Sequence, residues 1–359
     1  MKNNSYINYF SYILFFIVTL ILYLYSDFWA DYKEIQKSTV LYEQWLDIVN
    51  DEIQDFSFSD ISDLEDAEFF YTPYPELEDK IIEKIDKSKE RVYMQMYILT
   101  NDDIISSLIS ANNRGLDVKV ILEQNVYKAS HLNKEAYKVL KDAGVDVIWD
   151  WDNYALTHTK LLLVDDEAII STWNYSYSTF SKNRDFFIFT KDKEIVEKSY
   201  KLFSIDYSKR KWVVYDDEII LSPYYSREKL SYMLENASES IVLYAQNFSD
   251  YWIISNLVDA RKRWVQVSWV IAWNDSMWND ETINTLKNAW VNVYDLTSPK
   301  IHAKAILVDE KYLYIWSINY SYYSIDKNRE LWLIITNKDI IDKFLKVYEK
   351  DLKKFVKSR

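Results

Sequence analysis

Hydrophobic and polar positions follow two rhythms along this chain, and both rhythms occur twice. "RVYMQMYIL" at 91–99 and "LDVKVILE" at 116–123 are short runs of apolar and β-branched residues, with the length and make-up of buried strands. Between them, "NDDIISSLISANNRG" places Ile, Leu and Ala at helical spacing. "KEAYKVLKDAG" predicts a second helix, stopped by Gly144. A strand at "VDVIW" follows, and "KLLLVDDEAIIST" reads as two strands about a turn at Asp165, Asp166 and Glu167. Strands interleaved with helices predict an α/β layered sheet.

The pattern is duplicated. "HTKLLLVDDEAIISTWNYSYSTFSKNRDFFIFT" from His158 matches "HAKAILVDEKYLYIWSINYSYYSIDKNRELWLIIT" from His302. Asn174, Lys182, Asn183 and Arg184 return 145 residues later as Asn319, Lys327, Asn328 and Arg329. Upstream, "FYTPYPELEDKI" is echoed by "ILSPYYSREKL", "ANNRGLDVKVILE" by "ARKRWVQVSWVIA" and "LKDAGVDVIW" by "LKNAWVNVYD". Each half is therefore one copy of the same unit, 68–206 and 215–359.

Before the repeats, residues 3–26 carry no charge, and Tyr9 to Tyr25 is almost wholly aliphatic and aromatic. About 20 such residues span a bilayer as a helix. Residues 1–30 are expected to be an uncleaved membrane anchor, because "SDFWA" is a poor signal-peptidase site and the Tyr-rich edges suit an interface. Lys2 before the span and Asp27 and Asp31 after it place the body outside the cytoplasm. Residues 31–67 read as an acidic, partly helical connector.

Charge looks at first like an argument against a phosphate-bearing substrate, since the chain has a formal net charge of −13. From Asp31 to Asp79, however, fifteen acidic residues face two lysines, and the rest of the chain sums to zero. The body is neutral. With no cysteine there is neither a disulfide framework nor a thiolate zinc site.

Glycine is nearly absent, at 2 residues, where about 7% is usual, whereas tryptophan occurs 14 times. Both glycines, Gly115 and Gly144, lie in the first copy, and Trp264 and Trp290 stand in their places in the second. Glycine is selected where the backbone needs positive φ or close approach, so its exchange for an indole at two such turns is physically implausible as divergence. The simpler reading is a stop codon reassigned to glycine and translated here under another code. Trp264, Trp290, Trp316, Trp332 and Trp173 are then expected to be glycine in the native protein.

Two of the three histidines, His158 and His302, occupy matching places. On a strand, residues two apart share a face, so His158 with Lys160 and His302 with Lys304 are expected to point together. Two such strands across a pseudo-twofold axis would surround one cavity with two imidazoles, two ammoniums and the amides of Asn174 and Asn319. That array suits a tetrahedral phosphate. One neutral imidazole attacks phosphorus while the other, protonated, serves the leaving oxygen, and lysines and asparagines hold the non-bridging oxygens. Neither metal nor cofactor is required. A lone HxK is a weak signal, but two copies with matched Asp, Asn and Lys-Asn-Arg are strong. His131 has no counterpart and reads as a surface residue.

These stretches resemble the paired HxKxxxxD motifs of the phospholipase D superfamily, which continue to a Gly-Ser-x-Asn element. The likeness spans both copies. His302, Lys304 and Asp309 with "WSIN" fit if Trp316 is read as glycine; His158, Lys160 and Asp165 are followed by "STWN", one residue shorter, with Ser171 in the glycine place. The resemblance implies two tandem α/β/α repeats forming a pseudo-twofold pseudo-dimer, one active site between them and a phosphohistidine intermediate released by water or an alcohol. It makes His158 the nucleophile and His302 the acid. Asp185 and Glu330 are candidates to orient the imidazoles, with Thr172 and Ser317 in support; Asp165 and Asp309 are expected to brace the strand turns. Neither histidine is expected to carry core packing.

The family includes lipid hydrolases, phosphatidyl-transferring synthases such as cardiolipin synthases, and nucleases. A membrane span favours phospholipid, and no dense basic stripe favours nucleic acid, "ARKRW" at 260–264 being short. Phospholipid hydrolysis or phosphatidyl transfer is the leading expectation, with metal-independent cleavage of nucleic acid as alternative. A membrane-tethered scaffold without activity is the second alternative; a broken HxK would favour it, and neither is broken.

Overall fold

The computed structural model describes residues 61, 63–176, 179–210, 219–272 and 279–357, all within one compact unit, Ser57–Arg359. The apolar span, and the connector up to residue 60, lie outside the described residues. Among the described residues no helix is long and apolar enough to cross a membrane.

The first copy runs β1 (Ala67–Tyr71), α1 (Glu76–Lys87), β2 (Arg91–Met96), α2 (Asp102–Asn113), β3 (Asp117–Leu122), α3 (Leu132–Asp142) and β4 (Asp146–Trp149). It continues through β5 (Lys160–Val164), β6 (Glu167–Ser171), α4 (Thr179–Lys182), β7 (Asn183–Arg184), β8 (Phe186–Thr190) and α5 (Lys193–Tyr207). The second begins β9 (Ile219–Ser222), α6 (Ser226–Glu235), β10 (Ser240–Ala245), α7 (Tyr251–Lys262), β11 (Gln266–Ala272), α8 (Asp280–Asn288) and β12 (Asn292–Leu296). It ends β13 (Lys300–Ile301), β14 (Ala305–Val308), β15 (Tyr312–Trp316), α9 (Tyr322–Asp326), β16 (Glu330–Ile335) and α10 (Lys338–Lys357).

The expected duplication is visible in the sheets. One has strand order β1-β8-β6-β5-β2-β3-β4 and the other β9-β16-β15-β14-β10-β11-β12, the same order element for element. Strands separated by helices pair in parallel, as β2 with β3 and β10 with β11, while β5–β6 and β14–β15 are antiparallel hairpins. Local sequence accounts for the helices. In α1, Leu77, Ile81 and Ile85 fall on one stripe and are fully buried, each contributing roughly 1.5–3 kcal/mol. Its first turn carries Glu76, Glu78 and Asp79 and its last turn Lys84 and Lys87, which complements the helix dipole. Asn101 and Asp250 cap α2 and α7, their side chains accepting from Ile104 N and Ile253 N.

The helix ends bear on the glycine question. Gly115 and Gly144 have φ of 86° and 80°, and Trp264 and Trp290 have φ of 72° and 63°. All four ends share one hydrogen-bond pattern. Leu116 N reaches Ala111 O and Val145 N reaches Leu140 O; in the second copy Val265 N reaches Ala260 O and Val291 N reaches Leu286 O. This is the left-handed helix stop that glycine normally fills.

The copies join through one apolar cluster that takes Phe69, Leu161 and Phe186 from the first and Tyr244, Ala305 and Phe344 from the second. The Phe186 ring lies 5.2 Å from those of both Tyr244 and Phe344. Small backbone contacts also cross. β7 pairs in parallel with β13, and Thr157 bridges Arg329.

Two expectations are corrected. Glu167 belongs to β6, so the turn is only Asp165 and Asp166, and Glu167 is buried against Lys84 at 2.7 Å. Neither histidine lies within a strand: β5 begins at Lys160 and β14 at Ala305. His158 N donates to Arg329 O at 2.8 Å and His302 N to Arg184 O at 3.1 Å, which holds both histidines at the seam between the copies instead of in their own sheets.

Candidate active site

Each histidine is gripped by a carboxylate of the opposite copy. His158 Nδ1 lies 2.8 Å from Glu330 Oε2, and His302 Nδ1 lies 2.9 Å from Asp185 Oδ1. The carboxylates are held in turn. Ser317 Oγ donates to Glu330 Oε2 at 2.5 Å, Asn328 Nδ2 to Glu330 Oε1 at 3.2 Å, and Thr172 Oγ1 to Asp185 Oδ1 at 2.5 Å. A carboxylate at Nδ1 fixes the proton there and leaves the lone pair on Nε2.

The lysines complete a single electrostatic cluster. Lys160 and Lys304 are both buried, and each acts on both imidazoles. Lys304 Nζ sits 3.0 Å from His302 Nε2, whereas Lys160 Nζ donates to His158 O at 2.7 Å, below the ring of Tyr97. Burial pushes the His158 imidazole down to about 4 against the pull of Glu330. Burial, with Lys304 and Lys160, holds His302 well below its usual value. Burial lowers Lys304 to about 8 and Lys160 well below its usual range. Burial also pushes Asp185 up to about 8. Glu330 differs: burial acts upward on it too, but the charges of His158 and Lys160 and its hydrogen bonds outweigh burial and keep it below the usual carboxylate value.

Of the residues singled out in the sequence, the structure joins His158, Lys160, Asp185, Thr172, His302, Lys304, Glu330 and Ser317 in this cluster. Asn174 and Asn319 stand two residues after Thr172 and Ser317, and the Asn319 amide oxygen is buried without a donor among the described residues. Asp165 and Asp309 lie at the far ends of β5 and β14 and brace turns as expected. Asp165 accepts from the backbone N–H groups of Lys89, Glu90 and Arg91, and Asp309 from those of Ser238, Glu239 and Ser240. His131 is exposed.

Two neighbours were not read from the sequence. The Tyr97 ring meets His158 edge-on at 4.4 Å, and Trp173 meets His302 at 4.7 Å. Tyr97 belongs to a strand end whose counterpart carries no ring, so the repeat gave no signal for it.

The family described as cardiolipin synthase, PLD-like domain, matches residues 81–207 and 230–352, more than half of the chain. A phospholipase D of Rickettsia prowazekii is 25% identical over 150 residues, covering 41% of this chain and 70% of that protein. Matches to the phospholipases D of Rickettsia typhi and Rickettsia felis span 56% and 57% of those proteins. Among solved structures, the phosphatidylserine synthase of Haemophilus influenzae superposes with a TM-score of 0.65 at 13% identity, over 81% of this chain and 86% of that one. The polyphosphate kinase of Porphyromonas gingivalis gives 0.66 at 15%, over 81% and 47%. At such identity these two likenesses speak to the fold alone.

Proposed function

Since this chain belongs to the phospholipase D superfamily, we propose that it is a phosphodiesterase acting through a phosphohistidine intermediate, and that it hydrolyses a phospholipid or transfers its phosphatidyl group to an alcohol. The observation that carries the reading is the crossed pairing: each imidazole is fixed at Nδ1 by the other copy's carboxylate, and two buried lysines act on both rings. His158 Nε2 attacks phosphorus, the P–O bond to the leaving group breaks, and His302 gives that oxygen its proton. Water or an alcohol then attacks, the P–N bond breaks, and His302 takes the proton back. A phosphodiester anion between the lysines offsets the charge that depresses His302 and so raises its proton affinity. The order of roles, His158 as nucleophile and His302 as acid, is the one the family resemblance implies. Asn174 and Asn319 join the lysines as donors to the non-bridging oxygens.

A cavity of about 540 Å³ lies between the copies, lined by Pro73, Ser181, Lys182 and Asn183 of the first and Thr297, Ser298 and Lys300 of the second, with no carboxylate among the described residues that line it. None of the clustered histidines, lysines or carboxylates lines it, so its Lys182 and Lys300 offer an anion a place beside the cluster and not within it. The family description and the phospholipase D relatives support a lipid substrate, which an N-terminal anchor at 1–30 with the body outside the cytoplasm would meet at the membrane surface.

The test is a parallel assay on phosphatidylglycerol, phosphatidylcholine and plasmid DNA with a chelator present. Phospholipid turnover without nicking is expected. Nicking without phospholipid turnover would replace the substrate class, and dependence on a divalent ion would overturn the mechanism.

A pH profile adds a signed prediction, since kcat/KM reports the free enzyme. His158 must be unprotonated to attack, so activity is expected to rise as pH passes about 4. His302 must be protonated to serve the leaving group and Lys304 charged to hold the phosphate, so activity is expected to fall toward alkaline pH, with the lysine charge lost above about 8. Lys304→Arg should move the alkaline limb upward; a limb that stays in place belongs to Asp185.

A further inference from the structure

We propose that Asp206 and Asp351 are positioning residues for the two histidines, each acting through an arginine of the opposite copy. The inference rests on His158 and His302 being the reacting groups. Arg329 Nε and Nη2 donate to the two oxygens of Asp206, both at 2.9 Å, and Arg184 Nε and Nη2 donate to those of Asp351 at 2.8 and 2.6 Å. Both arginines and both aspartates are buried. Asp206 lies in α5 and Asp351 in α10, so each pair crosses between copies. The spacing is that of the repeat, with 184 to 329 and 206 to 351 each 145 residues apart. A second donor serves each carboxylate, Gln95 Nε2 at 2.9 Å for Asp206 and the Tyr244 hydroxyl at 3.0 Å for Asp351.

The consequence lies in what each arginine does with its backbone. The carbonyl of Arg329 accepts the His158 N–H, and the next residue, Glu330, holds the His158 ring. The carbonyl of Arg184 accepts the His302 N–H, and the next residue, Asp185, holds the His302 ring. Each histidine is thus seated on a dipeptide of the other copy, and that dipeptide is tied back by an aspartate of the histidine's own copy. A buried guanidinium and carboxylate lose more hydration than an apolar pair of equal volume would, so stability alone gives no reason for two such pairs. The planar two-point fork fixes distance and orientation together, which an apolar contact does not. The halves are unequal. Arg184 Nη1 also donates to Thr72 O, whereas Arg329 Nη1 is buried with no acceptor among the described residues. The His158 half therefore depends more heavily on its single aspartate.

The experiment uses the full chain and two probes, bis(p-nitrophenyl) phosphate, whose leaving group needs no acid, and phosphatidylglycerol, whose leaving group does. Asp206→Asn, on the His158 side, is expected to lower kcat on both probes alike, by about 10²-fold, the effect of a misplacement near 1 Å, with KM little changed. Asp351→Asn, on the His302 side, should slow phosphatidylglycerol strongly and the nitrophenyl ester much less. If either substitution prevents folding, Gln95→Leu and Tyr244→Phe remove the second donors without leaving a charge unpaired, and the same probe pattern is expected at smaller size. Wild-type kcat in these variants, with only a lower melting temperature, would reduce the pairs to structural braces and overturn the proposal. Should the wild type turn over neither probe, the functional reading fails separately. The clamp is then judged by imidazole NMR: the His158 Nδ1–H resonance is expected to shift in Asp206→Asn and not in Asp351→Asn, and an unshifted resonance would end it.

Discussion

His158→Asn is expected to abolish turnover, with kcat reduced by roughly 10⁴-fold or more, as when a covalent nucleophile is removed, and His302→Asn is expected to cost about 10²–10⁴-fold, the span for a general acid. Asparagine is the better replacement than alanine. The sequence alone implies that neither histidine carries packing, but His158 is only 5% exposed, meets the Tyr97 ring and is the cationic-capable partner of a fully buried Glu330. Alanine there would leave that carboxylate with only Ser317 and Asn328 as donors, at about 1–3 kcal/mol for the lost partner. An amide placed near Nδ1 keeps a donor to Glu330 while removing Nε2. Stopped-flow kinetics with ³²P-labelled substrate separates the two roles. His158→Asn should trap no labelled protein, whereas His302→Asn should accumulate it with a good leaving group. Retained turnover in either variant would remove the two-histidine mechanism.

Repetition made much of this site legible, and geometry explains what repetition left out. A pattern that recurs with the same residues at the same intervals fixes which side chains matter, so His158, Lys160, His302, Lys304 and the carboxylates after Lys-Asn-Arg all stood out. It does not fix which carboxylate serves which ring. Asp185 follows His158 in the chain and Glu330 follows His302, yet each holds the other copy's histidine. That exchange depends on how two sheets face one another through Phe186, Tyr244 and Phe344, a long-range fact with no local periodicity. The same reason hides Asp206 and Asp351. Each reads as an ordinary acidic residue of an amphipathic helix until the opposing arginine is placed against it. The strand rule erred in a similar way: alternation correctly put histidine and lysine near each other, but pairing across the seam claimed the histidine backbone before the strand could.

The left-handed helix stops allow the chain's odd composition to be tested on purified protein. Trp264→Gly and Trp290→Gly are each expected to raise the melting temperature. A left-handed conformation costs an L-residue roughly 1–2 kcal/mol, and these indoles are 86% and 81% exposed, so their removal forfeits little burial. Glycine's greater freedom in the unfolded chain returns about 0.5–1 kcal/mol of that gain. The pair together should still stabilise, by a few degrees at roughly 2–4 °C per kcal/mol. The buried tryptophans give the opposite contrast. Trp316 and Trp332 are fully buried with rings 4.8 Å apart, and their indole N–H groups, like that of Trp173, meet no acceptor among the described residues. If tryptophan is the native residue at 316, Trp316→Gly removes a packed ring at about 3–5 kcal/mol; if glycine is native, the variant should fold at least as well as the parent, because the site never evolved around an indole. Calorimetry of the three variants, set beside peptide masses from the source organism, decides the matter. Lower melting temperatures for both helix-end variants, or tryptophan found at 290 and 316 in native peptides, would show that the indoles belong to the protein.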